Sequence, residues 1–308
     1  MRLVVTGSSG TIGTRLCETL LAQKHDVVGV DRRPNAWNAE IQKLTVVRDL
    51  RDPHALDDVP PDGVDAIVHL AAEARVHDLV IDPSRALDNM QTVFNALEWS
   101  RKHSIPFLFA SSRECYGNID ADRYTEDRVR IENCESPYAA SKLTGEALVH
   151  AYRRCYDLPS VILRFSNVYG AYDTSNRVIP LFFRQASRSE PLVIFGEEKC
   201  LDFTYIDDAV RGILLAVGKI RDVSGGTFNI ACGQGTTLQK LAQVMCELLH
   251  SGSSMSVKPS RVGEVFHYVA DITAARERLG YEPTVPFDEG IVRTVEWYKA
   301  HASVTTAA

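Results

Sequence analysis

The feature that most constrains the fold is a glycine-rich turn between an apolar strand and a helix at the start of the chain. The strand is RLVVTG (2–7), and apolar residues at helical spacing follow it between positions 12 and 20. Gly7, Gly10 and Gly13 lie between these two elements and allow a tight turn, a close backbone approach to a ligand and close helix packing. The pattern predicts a phosphate-binding turn at a helix N-terminus.

A carboxylate at the end of the second predicted strand indicates which dinucleotide such a turn would hold. Asp31 closes the strand DVVGVD (26–31), 18 residues after Gly13. A carboxylate there accepts hydrogen bonds from both ribose hydroxyls and repels a 2′-phosphate, which favours NAD over NADP. Arg32 and Arg33 are a competing signal, because an arginine can hold that phosphate. Since the carboxylate stands at the strand end itself, the sequence predicts NAD.

Short apolar runs alternate with helical patterns through the first half of the chain. The six predicted strands are RLVVTG (2–7), DVVGVD (26–31), LTVVRD (44–49), DAIVHLA (65–71), PFLFAS (106–111) and SVILRF (160–165). Apolar strands separated by helices are typical of a parallel sheet covered on both faces, so the predicted fold class is a doubly wound α/β sheet. Asp49 and Leu50, which end the third strand, either flank the adenine or form a plain strand-terminal turn.

The second half is less regular and predicts a smaller α/β substrate domain. Its predicted elements are a strand at 227–231 and helices at about 237–250 and 290–300. The expected division is 1–166 for the dinucleotide and 167–308 for the substrate. This boundary is approximate, because the segment 201–231 can return to the main sheet. The low-complexity tail 301–308 is expected to fray.

Composition and charge narrow the range of partners and locations. A net charge of −6 and a pI near 5.9 give little attraction to phosphate backbones, so nucleic acid is not an expected partner. No apolar run approaches the roughly 20 residues of a membrane helix, and the chain opens directly into a strand, so a cytoplasmic location is expected. Seven scattered cysteines without a C-x-x-C pair indicate reduced thiols rather than disulfides or zinc, and no metal is expected. His69 is predicted to end a structural strand.

A tyrosine and a lysine lie four residues apart in SPYAASK (136–142). On a helix this spacing places Tyr138 and Lys142 on one face. A phenol with an ordinary pKa of about 10 is a poor base near neutrality, and a neighbouring ammonium would lower that pKa. The pair therefore predicts a catalytic base with a supporting cation. The alternative is a surface Tyr/Lys pair, which is common.

The motifs together resemble the extended short-chain dehydrogenase/reductases that act on nucleotide sugars, and the resemblance covers nearly the whole chain. It is carried by TGSSGTIG (6–13), Asp31, HLAAEARV (69–76), SSRECYG (111–117), SPYAASK (136–142), RFSNVYG (164–170), DFTYIDDAV (202–210) and ADITAARERLGYEP (270–283). The resemblance implies a Rossmann domain for NAD and a C-terminal domain for a nucleoside diphosphate sugar, with a UDP-sugar as the expected substrate. It also implies a homodimer formed through helices 89–102 and 139–155.

The resemblance assigns roles to individual residues. Tyr138 is the implied base for the sugar O4 proton, Lys142 supports it, and Ser112 binds O4. The implied cofactor-binding residues are Gly7, Gly10, Thr11, Ile12, Gly13, Asp31, Arg32, Asp49, Leu50, Leu70, Ala71, Ala72, Tyr138 and Lys142. The implied substrate-binding residues are Glu73, Asn167, Arg177, Val178 and Arg261.

Three positions depart from the family pattern. The arginine usual before Asp-Phe is Leu201, the usual Gly-Pro-Arg is Gly170-Ala171-Tyr172, and Asn89 begins NMQTV instead of Asn-x-x-Gly-Thr. Lys199 or Arg177 is expected to supply the missing charge. These departures leave NAD binding intact and leave the nucleotide and the sugar open.

Arg113 and Glu114 bear on the choice of reaction. Family dehydratases carry Asp-Glu at this turn, the Glu being the base for the sugar C5 proton, whereas epimerases have small or uncharged residues. Glu114 thus predicts a dehydratase. Arginine cannot donate a proton at neutral pH, so Cys115, a water or electrostatic help from Arg113 must assist loss of the C6 hydroxyl. The alternative for the pair is a solvated ion pair of little consequence.

Other reactions remain open at the level of sequence. The hydride can end at C6, giving a 4-keto-6-deoxy sugar, or return to C4, giving a 5,6-ene. A 4-epimerase is the second hypothesis, followed by a decarboxylase, although Asn133-Cys134-Glu135 lacks the arginine usual in that class. A non-catalytic NAD-binding regulator is the third, and it has no need of Tyr138, Lys142 and Ser112 together.

Overall fold

The computed structural model describes residues 1–301, so most of the tail expected to fray lies outside the described residues. Strands and helices alternate along the chain. In order they are β1 (Arg2–Thr6), α1 (Thr11–Ala22), β2 (Asp26–Asp31), α2 (Ala39–Leu44), β3 (Thr45–Val47), β4 (Ala66–His69), α3 (Val76–Ile81), α4 (Ser84–His103), β5 (Phe107–Ser112), α5 (Pro137–Tyr156), β6 (Ser160–Phe165), β7 (Asn167–Tyr169), α6 (Val178–Ser187), β8 (Leu192–Phe195), β9 (Cys200–Tyr205), α7 (Ile206–Gly218), β10 (Thr227–Ile230), β11 (Gly235–Thr237), α8 (Leu238–Leu249), β12 (Met255–Lys258), β13 (His267–Tyr268) and α9 (Phe287–Ala300).

Seven parallel strands form the main sheet in the order β10-β6-β5-β4-β1-β2-β3. Leu3 and Val5 of β1 enter the hydrophobic core on one side of this sheet, and Val4 enters the core on the other. Both faces of a central strand are therefore buried, which explains why its sequence is apolar without alternation. The predicted doubly wound parallel sheet is confirmed.

The second half of the chain contributes to the main sheet and also forms smaller sheets. Strand β10 pairs with β6, Thr227 opposite Ile162, so the chain returns to the main sheet after α7. Strands β11, β9 and β13 form a second sheet, to which β7 is added through β9, and β8 pairs with β12. The smaller sheets line the same cavity as the carboxyl ends of the main strands, through Val193 and Phe195 of β8 and Leu201 and Phe203 of β9. Ligands bind at this edge in open α/β sheets.

The predicted element bounds differ from the structure mainly at chain turns. The third strand is three residues, 45–47, rather than the six expected at 44–49. Leu44 is the last residue of helix α2, and the pairing with β2 ends near Arg48, whose amide still donates to the Asp31 carbonyl oxygen at 2.9 Å. The two predicted C-terminal helices are found at 238–249 and 287–300. Within residues 1–301, no helix has the length and apolar character required to cross a bilayer.

Candidate active site

A cleft of about 390 Å³ lies at the carboxyl ends of the central strands and is lined by both halves of the chain. A smaller pocket of about 140 Å³ adjoins it and shares Gly7, Gly10, Leu70 and Ala72. The cleft is lined by the predicted residues Gly7, Gly10, Thr11, Ile12, Gly13, Leu70, Ala72, Ser112, Arg113, Glu114, Tyr138, Lys142, Asn167, Arg177, Val178 and Arg261. The smaller pocket adds Asp31, Arg32, Asp49, Leu50, Ala71 and Glu73.

The glycine turn forms a cradle that side chains would fill. Gly7 has a φ of +73°, and a Cβ there would lie 2.8 Å from the Ala71 amide nitrogen. A Cβ on Gly13 would lie 2.0 Å from the Gly7 carbonyl oxygen. Helix α1 begins after Gly10, and no side chain in the described part of the chain caps it, so its first amides are available to an anion. This backbone cradle fits a dinucleotide pyrophosphate.

The smaller pocket carries the groups expected around an adenosine ribose. The Asp31 carboxylate accepts hydrogen bonds from the amides of Ser9 and Arg33, each at 3.0 Å. Glu73, expected at the substrate, instead lines this pocket and forms an ion pair of 2.6 Å with Arg32. Its position indicates an influence on the cofactor end of the site rather than on the sugar end.

Helix α5 presents the predicted base and its supporting cation to the cleft. Ser136 caps the helix, and Tyr138 and Lys142 are both buried, which excludes the surface-pair alternative. Burial lowers the pKa of Lys142 to about 8, and its Nζ donates a hydrogen bond of 2.8 Å to the Ala110 carbonyl oxygen. Burial raises the pKa of Tyr138 to about 12, while the Ser112 hydroxyl and the Arg177 guanidinium act in the opposite direction.

The turn after β5 holds the Arg113–Glu114 pair in the wall of the cleft. The two side chains form an ion pair of 2.8 Å and are 8% and 7% exposed, so the solvated-pair alternative is wrong. The Nε of Arg113 donates to Asn167 Oδ1 at 3.3 Å. Glu114 Oε2 has no hydrogen-bond partner in the described part of the chain, and burial raises the pKa of this carboxyl, with Arg113 opposing the rise.

Cys115 does not line the cleft. Its sulfur lies 3.4 Å from the Ser111 hydroxyl on the buried side of the turn, and burial raises the pKa of the thiol. The geometry therefore gives no support to Cys115 as the acid that protonates a departing hydroxyl. Residues Arg113–Tyr116 form a one-turn helix, so their side chains point in different directions. Arg113 and Glu114 line the cleft, and the Cys115 thiol lies behind them.

The cationic side of the cleft comes from the second half of the chain. Arg177 donates to the Ala74 carbonyl oxygen at 3.2 Å, and the Arg261 guanidinium lies 4.0 Å from the centre of the Phe195 ring. Lys199 forms an ion pair of 2.6 Å with Glu264. Since no carboxylate within residues 1–301 forms an ion pair with Arg177 or Arg261, these two cations can meet an anionic ligand.

A buried network behind the turn 113–116 was not predicted from the sequence. Arg164 and Glu146 form two hydrogen bonds of 2.8 and 2.7 Å, and the Ser111 hydroxyl donates to Glu146 at 2.5 Å. Tyr116 donates to Asn229 at 2.6 Å and accepts from Arg164 at 3.1 Å. The available signal was Arg164, a charged residue in the otherwise uncharged and fully buried strand β6 (SVILRF).

His69 ends β4 and lies beneath the site without entering it. Its Nδ1 is 2.9 Å from the Thr6 hydroxyl, and burial lowers the pKa of the ring to about 3, so the imidazole is neutral. Within residues 1–301, no group of three or more His, Cys, Asp or Glu side chains has an arrangement that could hold a metal.

A doubly wound sheet with a pyrophosphate cradle, a ribose carboxylate and a buried Tyr–Lys helix defines a dinucleotide-dependent enzyme of the Rossmann class. Comparison with known families identifies the group within that class. Residues 3–231 match the model of the NAD dependent epimerase/dehydratase family, and the chain belongs to this family. It is thus an enzyme of this kind, and the predicted NAD cofactor is confirmed.

The relatives include both epimerases and dehydratases, the two kinds of enzyme that the family name mentions. An uncharacterized UDP-glucose epimerase, YtcB of Bacillus subtilis strain 168, is 31% identical over 312 residues, covering 96% of this chain and 98% of the relative. The UDP-glucose 4-epimerase of Thermotoga maritima, solved with UDP-glucose, has a TM-score of 0.89 and 31% identity, covering 98% of this chain and 100% of that one. A double mutant of DesIV, a dTDP-glucose 4,6-dehydratase of Streptomyces venezuelae solved with NAD, has a TM-score of 0.90 and 31% identity, with 98% of both chains covered. Similarity therefore does not choose between the two reactions.

Proposed function

We propose that the protein is a nucleotide-sugar dehydratase that eliminates water across C5 and C6 after transient oxidation at C4. The substrate class is a UDP-hexose or a UDP-N-acetylhexosamine. The observation that carries the proposal is Glu114, a buried carboxylate in the cleft wall beside Ser112 and Tyr138, with one oxygen free of hydrogen bonds within residues 1–301. When bound, NAD supplies a reversible hydride acceptor.

The chain's own residues prepare the C4 oxidation. Gly7, Gly10 and Gly13 would hold the pyrophosphate, and Asp31 the adenosine ribose. Tyr138 takes the O4 proton, with the Ser112 hydroxyl positioned against the phenol. Because burial raises the pKa of Tyr138, its phenolate requires nearby positive charge. The Arg177 guanidinium lowers this pKa, and the Lys142 ammonium lies 5.9 Å from the ring centre as a second cation.

Glu114 then acts at C5. A ketone at C4 acidifies the C5 proton, because the resulting carbanion delocalises into the carbonyl group. Arg113 engages Glu114 Oε1, which leaves Oε2 to accept the proton. The same carboxyl can pass this proton to the departing C6 oxygen, so that water leaves and the C5=C6 bond forms. Arg113 stays charged and stabilises the leaving oxygen electrostatically.

The fate of the hydride separates two products. Transfer of the hydride to C6 gives a 4-keto-6-deoxy sugar, the outcome of an ordinary 4,6-dehydratase. Return to C4 gives a 5,6-ene, an outcome similar to that of the UDP-N-acetylglucosamine 5,6-dehydratase of tunicamycin biosynthesis. The second outcome is suggested by Arg113, which stands where the family dehydratases carry an aspartate. An antibiotic pathway would then use the product.

A UDP-sugar 4-epimerase is the second candidate. The similarity to the Thermotoga maritima epimerase favours it, because the sequence identity of that enzyme to this chain equals that of DesIV. An epimerase uses Tyr138, Lys142 and Ser112 but needs no base at C5. The presence of Glu114 is the observation against it.

We also propose that Arg177 and Arg261 bind the diphosphate of the substrate.

We further propose that the chain forms a homodimer through α4 and α5. These helices pack against each other, and Leu87 and Phe94 of α4 are exposed one heptad apart. Sedimentation velocity distinguishes this dimer from a monomer.

Deuterium incorporation tests the dehydratase proposal. The protein is incubated with UDP-N-acetylglucosamine or UDP-glucose in D₂O, and the products are followed by NMR and mass spectrometry. Loss of one water, or deuterium at C5, is expected. Glu114→Gln should abolish both while C4 oxidation continues, whereas the control Asp78→Asn removes a carboxylate that does not line the cleft and should keep C5 exchange. Clean C4 inversion without solvent deuterium would establish the epimerase instead.

A further inference from the structure

Most of the basic side chains around the smaller pocket are held by carboxylates. Of its four arginines, three form ion pairs within residues 1–301: Arg32 with Glu73 at 2.6 Å, Arg48 with Asp58 at 2.7 Å, and Arg51 with Asp49 at 2.6 Å. The fourth, Arg33, is exposed and donates its main-chain amide to Asp31. A pocket with this many arginines would attract a phosphate if their charges were free.

Arg32 is the arginine adjacent to the ribose carboxylate, and Glu73 reaches it from the opposite side of the pocket. Arg32 follows β2, whereas Glu73 follows β4, so the ion pair joins the ends of two strands separated in the sheet by β1. Arg32 and Glu73 therefore approach the pocket from the loops after two different strands. The pair therefore spans the pocket wall instead of linking sequence neighbours.

The backbone of Glu73 is held rigidly. Its amide donates to Asn89 Oδ1 at 2.7 Å, and its carbonyl oxygen accepts from Asn89 Nδ2 at 3.1 Å. Asn89 is 3% exposed and also donates to the Ser141 hydroxyl at 3.1 Å, next to Lys142 on helix α5. Glu73 thus projects from a fixed point, which makes its charge a permanent feature of the pocket.

We propose that Glu73 determines the selectivity for NAD over NADP by acting through Arg32. It occupies the guanidinium that would otherwise bind a 2′-phosphate, and it adds a second negative charge beside Asp31. Because Glu73 holds one N–H group of this arginine, a phosphate would have to displace the carboxylate before it could bind the guanidinium through two N–H donors, and two carboxylates repel the dianion. Glu73 acts through Arg32 and so has a positioning role, distinct from the sugar chemistry.

The pair contributes little to stability. The side chains of Arg32 and Glu73 are 49% and 23% exposed, and ion pairs this exposed are screened by water. Glu73 also lies 4.0 Å from Arg85, a contact at the edge of ion-pair range. Glu73→Gln is therefore expected to fold normally, so that its effect on cofactor binding can be measured directly.

Fluorescence titration with NADH and NADPH tests the proposal on the full chain freed of bound nucleotide. In Glu73→Gln, the affinity for NADPH is expected to rise about tenfold or more, equal to about 1.4 kcal/mol, while that for NADH stays within about threefold. The double variant Glu73→Gln/Arg32→Met should lose this gain. The matched control Asp78→Asn, which removes another carboxylate partner of Arg85, should bind both nucleotides as the parent does.

Three results would overturn the proposal. They are an unchanged NADPH affinity in Glu73→Gln, an equal change for both nucleotides, and a gain that persists without Arg32. Because binding is read without any sugar substrate, these results are independent of whether the protein is a dehydratase or an epimerase.

Discussion

Replacing Arg164 by methionine should strongly destabilise the protein, because it leaves a buried carboxylate without its counter-charge. Arg164 and Glu146 are 5% and 6% exposed and form two hydrogen bonds of 2.8 and 2.7 Å. Arg164 also donates to Tyr116 and to the Glu126 carbonyl oxygen. Although burial opposes its charge, Glu146 raises the pKa of the guanidinium above its usual value. Only the Ser111 hydroxyl would remain as a side-chain donor to Glu146 within residues 1–301.

The expected loss follows from the cost of breaking a buried ion pair. Removing one partner costs about 3–5 kcal/mol in free energy of unfolding. An unfolding entropy of about 2.1 cal/mol/K per residue gives roughly 0.65 kcal/mol/K for 308 residues, so Tm should fall by about 5–8 °C. Differential scanning calorimetry measures this shift. The double variant Arg164→Met/Glu146→Leu should regain most of the loss, since apolar residues of similar volume replace both charges.

An exposed pair provides the matched control. Arg276 and Glu282 form an ion pair of 2.5 Å with 52% and 57% exposure, so Arg276→Met should leave the melting temperature nearly unchanged. The reasoning is refuted if Arg164→Met melts within about 1 °C of the parent. It is equally refuted if the double variant is as unstable as the sum of its two single changes, because the two residues would then be uncoupled.

Two further predictions follow from the buried lysine and the glycine turn. Burial lowers the pKa of Lys142 from 10.5 to about 8, so between these values the unfolded chain binds more protons and stability rises with pH. Lys142→Met should remove this gain, on the order of 3 kcal/mol, in urea unfolding at about pH 7.5 and 10, and an identical pH dependence in both proteins would contradict it. Gly13→Ala places a Cβ 2.0 Å from the Gly7 carbonyl oxygen and should weaken NAD binding at least about tenfold by calorimetry. Gly252→Ala, whose Cβ would meet no atom of residues 1–301 within 4 Å, should bind NAD normally, and equal affinities in the two variants would refute the cradle.

The main sheet could be predicted because each central strand carries its own signal. In β1, Leu3, Val4 and Val5 are all apolar, since alternate side chains enter cores on opposite faces. The strands β7, β11 and β13 could not be predicted in the same way. They contain two or three residues each and are defined by partners far along the chain, as when His267 pairs with Cys200.

At the site, residue identity could be predicted better than side-chain direction. The cleft and the smaller pocket gather the predicted residues from strand ends, because parallel strands share one carboxyl edge. Sequence alone could not tell that Cys115 points behind the turn or that Glu73 pairs with Arg32. Both outcomes depend on local turn geometry and on a partner 41 positions away in the chain.

The choice between elimination and epimerisation rests on the physical cost of the Arg113–Glu114 pair. Burying two charges in a cleft wall carries a desolvation penalty that small uncharged residues would avoid. An epimerase would gain nothing in return, because turning a keto sugar requires no proton transfer at C5. A dehydratase gains a base: burial raises the pKa of Glu114 and makes it a stronger proton acceptor, while Arg113 and Lys199 act in the opposite direction and favour the ionised form. Arg113 engages Oε1 and leaves Oε2 without a hydrogen bond within residues 1–301, so the pair combines charge compensation with an acceptor oxygen, as the proposed C5 deprotonation requires.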